Sequence, residues 1–199
     1  MRFENLYERR PTWEIDRPQP AIAQLVQRGV IGRRVLDPGC GTGEHALLLA
    51  AAGHEVWGLD ISPTAVSLAW AKARAAGLPP MSLHLCRGDA LKLPWEDLQV
   101  DSVLDSMLFH SLTDEQMAVY QRQLARVLAP GGALFLLCYS EHEPGDDGPR
   151  RVKRQEIEAP FSPPGWRVEV IEQVEIHTNR RRSRAVGYLA TIRRERGEQ

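Results

Sequence analysis

The chain lacks most of the features that would narrow its function at once. Its 199 residues contain three cysteines, Cys40, Cys86 and Cys138, odd in number and widely spaced. No CxxC pair and no Cys/His cluster appears, which argues against a disulfide framework and a zinc site and suits a reducing compartment. No apolar run is long enough to span a bilayer, and the opening MRFENLYERRPTWEIDRPQP has no apolar signal core. Neither charge is in excess: a formal net charge of −1 offers no global field for nucleic acid or acidic lipid. The length suits one domain with a real core and is short for two. The default expectation is a cytoplasmic enzyme or binding domain.

What is present is an alternation. AIAQLVQRGV (21–30) has apolar residues at helical spacing. RRVLD (33–37) reads as a short buried strand, GEHALLLAAAGH (43–54) as a helix and EVWGLD (55–60) as a second strand. SPTAVSLAWAKARAAG (62–77) is predicted helical, with Ser62 as N-cap and Pro63 at the first position. Strands follow at MSLHLCRGDA (81–90) and VDSVLDS (100–106). Thr113 and Gln116 form a capping box for a helix over 114–129, and PGGALFLLCY (130–139) is a turn and a strongly apolar strand. Such alternation predicts an α/β fold: a doubly wound, Rossmann-like, mostly parallel sheet with ligands at the strands' C-terminal ends. After residue 140 the rhythm changes to a polar loop (140–151), a short helix (153–159) and two β-like runs (166–178 and 183–194) that predict an antiparallel hairpin. No repeat or linker divides the chain. One domain is expected over 1–199, with an N-terminal cap and first helix (1–30), βα units (33–139), an acceptor-side loop (140–165) and the hairpin (166–194).

VLDPGCGTGEH (35–45) is the stretch with chemistry in it. A strand breaks at Asp37 into three glycines, Gly39, Gly41 and Gly43, and restarts as a helix. A P-loop would need a Lys-Ser/Thr after its glycines, and Glu44-His45 stands there instead. A dinucleotide fingerprint would need a third glycine where Glu44 is, and an acid beside the turn repels a pyrophosphate. S-adenosylmethionine fits better. Its carboxylate suits the free N–H groups of a helix N-terminus, and Asp37 is placed for its ammonium. Asp60 stands 19 positions past Gly41, close to the roughly 20 expected of a ribose-binding acid. GDA (88–90) follows the third strand, where an adenine edge contact belongs.

This ensemble resembles the class I S-adenosylmethionine-dependent methyltransferases. LDPGCGTG is similar to their motif I, GLD (58–60) to the motif II acid, GDAL (88–91) to motif III, and VDSVLDS to the motif IV strand. LARVLAPGGALFL (124–136) is similar to the helix, Pro-Gly-Gly turn and fifth strand that follow. RRPTWEIDRPQPAI (9–22) resembles more narrowly the Pro-x-Trp-acid segment of the thiopurine, thiol and halide methyltransferases, in which an N-terminal aromatic covers the cofactor. The resemblance implies S-adenosylmethionine as cofactor and S-adenosylhomocysteine as product. It implies a cofactor set of Trp13, Asp37, Gly39, Cys40, Gly41, Thr42, Gly43, Asp60, Ile61, Asp89, Ala90, Asp105 and Ser106. Trp13 is then a lid assisted by Tyr7; its alternative is packing on the sheet edge.

The acceptor belongs above strands four and five. His110 and Asp105 are the candidate catalytic residues: His110 as a proton acceptor or as a group that orients the next helix, Asp105 as a contact to cofactor or acceptor or as the strand's end. Tyr7, Phe109, Tyr139, Arg150 and Arg151 are the candidate substrate-binding residues, with Met107 and Leu108 adding to an apolar pocket. DSML carries no prolines, unlike the motif IV of enzymes that methylate nucleobase amines. The basic NRRRSR (179–184) sits at a hairpin turn and reads as solvated, and the Glu141-to-Asp147 acids disfavour a polyanion. The leading expectation is a small-molecule methyltransferase acting on a thiol or other soft nucleophile, with no metal, nucleic acid or membrane partner, as monomer or homodimer. The alternatives are an O- or N-methyltransferase of a small metabolite, an RNA methyltransferase, and a non-catalytic binding module.

Overall fold

The computed structural model describes residues 4–7, 10–79, 81–145, 148–179 and 184–196. Asp146 and Asp147 of the acidic loop, and residues 180–183 of the basic cluster, lie outside the described residues. The elements run α1 (Glu4–Tyr7), α2 (Pro20–Gln27), β1 (Arg34–Pro38), α3 (Glu44–Ala51), β2 (Glu55–Asp60), α4 (Pro63–Ala75), β3 (Leu83–Arg87), β4 (Val100–Ser106), α5 (Asp114–Val127), β5 (Leu128–Tyr139), α6 (Arg154–Glu158), β6 (Trp166–His177) and β7 (Arg184–Arg194).

The seven strands form one sheet in the order β3-β2-β1-β4-β5-β7-β6. β1 to β5 pair in parallel, while β7 runs antiparallel between β5 and β6. The α/β doubly wound architecture with its C-terminal antiparallel hairpin is therefore present. Both faces are buried, as parallel strands require. Val35, Leu104, Phe135 and Leu137 meet Ile22, Leu49 and Ala69 of α2, α3 and α4 on one face. Leu36, Val103, Leu134 and Leu136 alternate onto the other, against Tyr120 and Leu124 of α5 and Ile157 of α6.

Local chemistry sets the helix starts. The Ser62 hydroxyl accepts from the Ala65 N–H at the head of α4, and Pro63 occupies the first turn. Thr113 and Gln116 complete the capping box of α5. Several boundaries depart from expectation: β3 spans Leu83–Arg87 rather than 81–90, and α2 ends at Gln27 rather than near residue 30. α5 stops at Val127, and β5 begins at Leu128 with the Pro-Gly-Gly inside it, because Leu128 already pairs with Val100 before the register shifts to Ser102 opposite Ala133. α1 was not anticipated; four residues are too short for periodicity to show. Among the described residues, no helix is long and apolar enough to cross a membrane.

Candidate active site

A cavity of about 480 Å³ opens at the C-terminal ends of the parallel strands. That volume lies in the range of roughly 300–1,000 Å³ of small-molecule sites, and the position is the one an open α/β sheet offers. The turn after β1 forms its floor. Gly39 and Cys40 N–H groups donate to the Leu59 carbonyl, at 2.8 and 3.0 Å, which bends the chain across β2. Gly41 has φ +54°, and a Cβ there would come within 3.1 Å of the Tyr7 hydroxyl. Gly43 has φ +87° and caps α3, and its Cβ would meet Ala69 and Leu47 below 3 Å. A side chain at either position would strain the backbone and fill space that Tyr7 or α4 occupies.

Asp60 ends β2 at the cavity wall. Its Oδ2 accepts the Gly41 N–H at 3.0 Å and its Oδ1 the Ser62 N–H at 2.8 Å. Burial raises its pKa, against these backbone donors. Ile61, Asp89, Ala90 and Ser106 line the cavity after β2, β3 and β4, together with Cys40 and Thr42 of the turn. The N-terminal arm closes one side with Tyr7 and Trp13, whose rings meet edge-on with centroids 6.3 Å apart. Several ties hold the arm down. Gln19, 1% exposed, exchanges two hydrogen bonds with the His177 backbone. Asn179 Nδ2 donates to the carbonyls of Pro11 and Glu14. Glu4 accepts from the hydroxyls of Ser62 and Thr64.

At the other end, His110 and Tyr139 line the cavity with rings edge-on at 5.4 Å, beside Met107 and Leu108. His110 belongs to a single 3-10 turn, Phe109–Ser111. Burial and the nearby charges of Arg150 and Arg151 lower its pKa to about 3, so it is neutral at physiological pH. Its Nδ1 has no hydrogen-bond partner among the described residues. Met107 takes φ +70°, unusual for a side chain of its size.

Several sequence-predicted site residues lie off the cavity wall. Asp105 is fully buried beneath it. It accepts from the Tyr120 hydroxyl at 2.9 Å and from the Leu108 and Phe109 N–H groups, so it caps the 3-10 turn. Burial still lifts its pKa to about 6. Phe109 turns into the core against Phe161, because a tight turn sends adjacent side chains to opposite sides. Arg150 pairs with Glu156, and Arg151 is wrapped by carbonyls of its own loop, at Glu143, Pro144, Gly145 and Pro149, with its guanidinium 5.8 Å from the Tyr139 ring. Asp37 is 1% exposed, below the turn. Gly43 packs on α4. Conversely, Glu14, Arg17, Gln19, Glu44 and His45 line the cavity. Glu14 left a trace in the sequence through the Pro-x-Trp-acid pattern, and Glu44 and His45 through their place directly after the glycine turn; Arg17 and Gln19 are brought in by the arm, Gln19 through contacts such as its N–H to His45 Nε2.

The lining tests the cofactor. Four acids, Glu14, Glu44, Asp60 and Asp89, face it, and Arg17 is the one Lys or Arg among the described lining residues. That field repels a pyrophosphate and suits a ligand carrying a sulfonium and an ammonium. Strand order, glycine turn and Asp60 together define a Rossmann-like S-adenosylmethionine-dependent methyltransferase. The family model of thiopurine S-methyltransferase (TPMT) matches residues 3–194, and the chain belongs to that family. It is 35% identical over 172 residues to the 2-heptyl-1-hydroxyquinolin-4(1H)-one methyltransferase of Mycobacteroides abscessus, covering 85% of this chain and 74% of the relative. It is 30% identical over 156 residues to a probable thiol methyltransferase 2 of Arabidopsis thaliana, covering 77% and 68%. A solved structure described as "Conversion of a Disulfide Bond into a Thioacetal Group during Echinomycin Biosynthesis" superposes with a TM-score of 0.88 at 32% identity, covering 98% of this chain and 93% of the other.

Proposed function

We propose that this enzyme methylates a small, soft nucleophile that reaches the site already ionised or easily ionised, with a thiol as the leading acceptor. The observation that carries this reading is the absence of a strong base at the acceptor end, among the described lining residues. His110 is held neutral at about 3 and attracts protons weakly. Asp105 is saturated by three donors below the cavity. A thiol needs little help to lose its proton, and an aligned site from which water is excluded supplies the rest.

The cofactor, when bound, supplies a methyl already activated on sulfonium. The chain's part is positioning. Asp60 and the Gly41 turn hold the adenosyl side, with Ile61, Asp89 and Ala90 beside the base. Tyr7 and Trp13 close the arm over the site and exclude water. His110 and Tyr139 orient the acceptor, while the charges of Arg150 and Arg151 near His110 favour an anion there. Sulfur chemistry in the description of the 32% identical structure and the name of the thiol methyltransferase relative support the reading.

A second reading is an acidic ring hydroxyl, supported by the name of the hydroxyquinolone methyltransferase relative and by the apolar wall of Met107, Leu108 and Tyr139. Release of S-adenosylhomocysteine with small thiols and with a 1-hydroxyquinolin-4-one separates them. Turnover of thiols is the expected result. Turnover of the hydroxyquinolone alone establishes the second reading and overturns the first.

A further inference from the structure

Glu14 has no assigned task in the site. It follows Trp13 in the arm, is 9% exposed and lines the cavity. Its Oε2 accepts the Thr42 hydroxyl at 2.6 Å. Its Oε1 lies 3.6 Å from the point a Cβ on Gly41 would occupy, beside the glycine turn. Thr42 Oγ1 in turn accepts from Lys72 Nζ at 2.6 Å. Lys72 also bonds Glu44 at 2.6 Å and stands 3.8 Å from Glu14. Two carboxylates therefore share one ammonium. One negative charge is left over at the turn, and a part-buried charge of this kind is costly until a cation joins it.

Asp37, the acid that spacing singles out, is placed differently. It does not line the cavity and is 1% exposed. Burial, Asp105 and Asp60 together raise it to about 8, against the Ala46 N–H, so at neutral pH it is mostly uncharged.

We propose that Glu14, rather than Asp37, receives the ammonium of the cofactor's amino-acid end, with the Thr42 hydroxyl fixing its carboxylate. The assignment rests on S-adenosylmethionine occupying this cavity. It couples recognition to closure, because the arm that covers the site carries the charge that senses the ligand.

The test is calorimetric titration of the full chain with S-adenosylhomocysteine and with its deamino analogue, in which hydrogen replaces the amino group. The wild type prefers S-adenosylhomocysteine by on the order of 10- to 100-fold, the scale of one charge-assisted hydrogen bond. Glu14→Gln removes that preference and leaves the analogue's affinity within about threefold. Asp37→Asn keeps the preference. Lys72→Met also keeps or widens it, since Glu14 then has no competing cation. Equal weakening of both ligands by Glu14→Gln, which leaves the preference intact, makes Glu14 a latch for the arm and overturns the proposal. An undiminished preference in Glu14→Gln overturns it too. Failure of the wild type to bind either ligand overturns the cofactor reading itself, and this assignment with it.

Discussion

Two aspartates of similar sequence setting have opposite settings in the fold. Asp60 meets the cavity and holds the glycine turn through the Gly41 N–H. Asp60→Ala is expected to weaken S-adenosylhomocysteine binding by roughly tenfold or more if, as proposed, it holds the adenosyl side, since a ligand hydroxyl and the turn then both lose a partner. Unchanged affinity by calorimetry would refute its ribose role. Asp105 lies under the floor, bonded to Tyr120 and two backbone donors. Asp105→Ala leaves these unpaired and is expected to lower unfolding free energy by roughly 2–4 kcal/mol, measured by urea denaturation. A stability change under about 0.5 kcal/mol would contradict the capping role.

The arm from Arg10 to Gln19 is the element that covers one side of the cavity. It carries no helix or strand, and its anchors include Gln19 to His177 and His45, Asn179 to Pro11, Thr12 and Glu14, and Glu14 to Thr42. Gln19→Ala removes two hydrogen bonds from a buried side chain. Amide exchange in residues 10–19 is expected to rise, and saturating S-adenosylhomocysteine to restore protection. Exchange unaffected by the substitution would mean that the arm is held by other contacts. Elements show why part of the site was legible in the sequence. The strand-turn-helix of 35–45 and the acid ending β2 are local patterns, and their spacing carries their chemistry. Phe109, Arg150 and Arg151 looked like wall residues because they follow strands four and five. A single 3-10 turn sends Phe109 inward, and loop carbonyls and Glu156 occupy the arginines. Glu14 and Gln19 depend on contacts across the chain that no periodicity encodes.

Across the whole molecule, buried ionisable groups set the pH dependence of stability. Asp37 titrates at about 8 when folded, against about 3.9 unfolded. The folded state keeps a proton the unfolded chain releases, so stability falls as pH rises through that interval. His45 and His110 act in the other direction. Burial depresses them to about 4 and about 3 from 6.5, so their stability is lost as pH falls below 6.5. From pH 6.5 to 8, of these groups, Asp37 makes the largest change, partly offset below about pH 7.5 by the last protons leaving the unfolded histidines. Wild-type unfolding free energy is expected to drop by on the order of 1–2 kcal/mol over that span, and Asp37→Asn to flatten it. An equal drop in both, by urea titration at each pH, would place the effect elsewhere.

The reaction itself reads out the same electrostatics. On the proposed reading, with no strong base among the described residues at the acceptor end, the acceptor's own ionisation governs the rate. The most direct measurement is the pH dependence of kcat/KM for a series of thiols of different acidity, in wild type and His110→Ala. The account predicts an apparent pKa that moves with each thiol and is unchanged by the substitution. A single pKa common to all acceptors, abolished in His110→Ala, would contradict it.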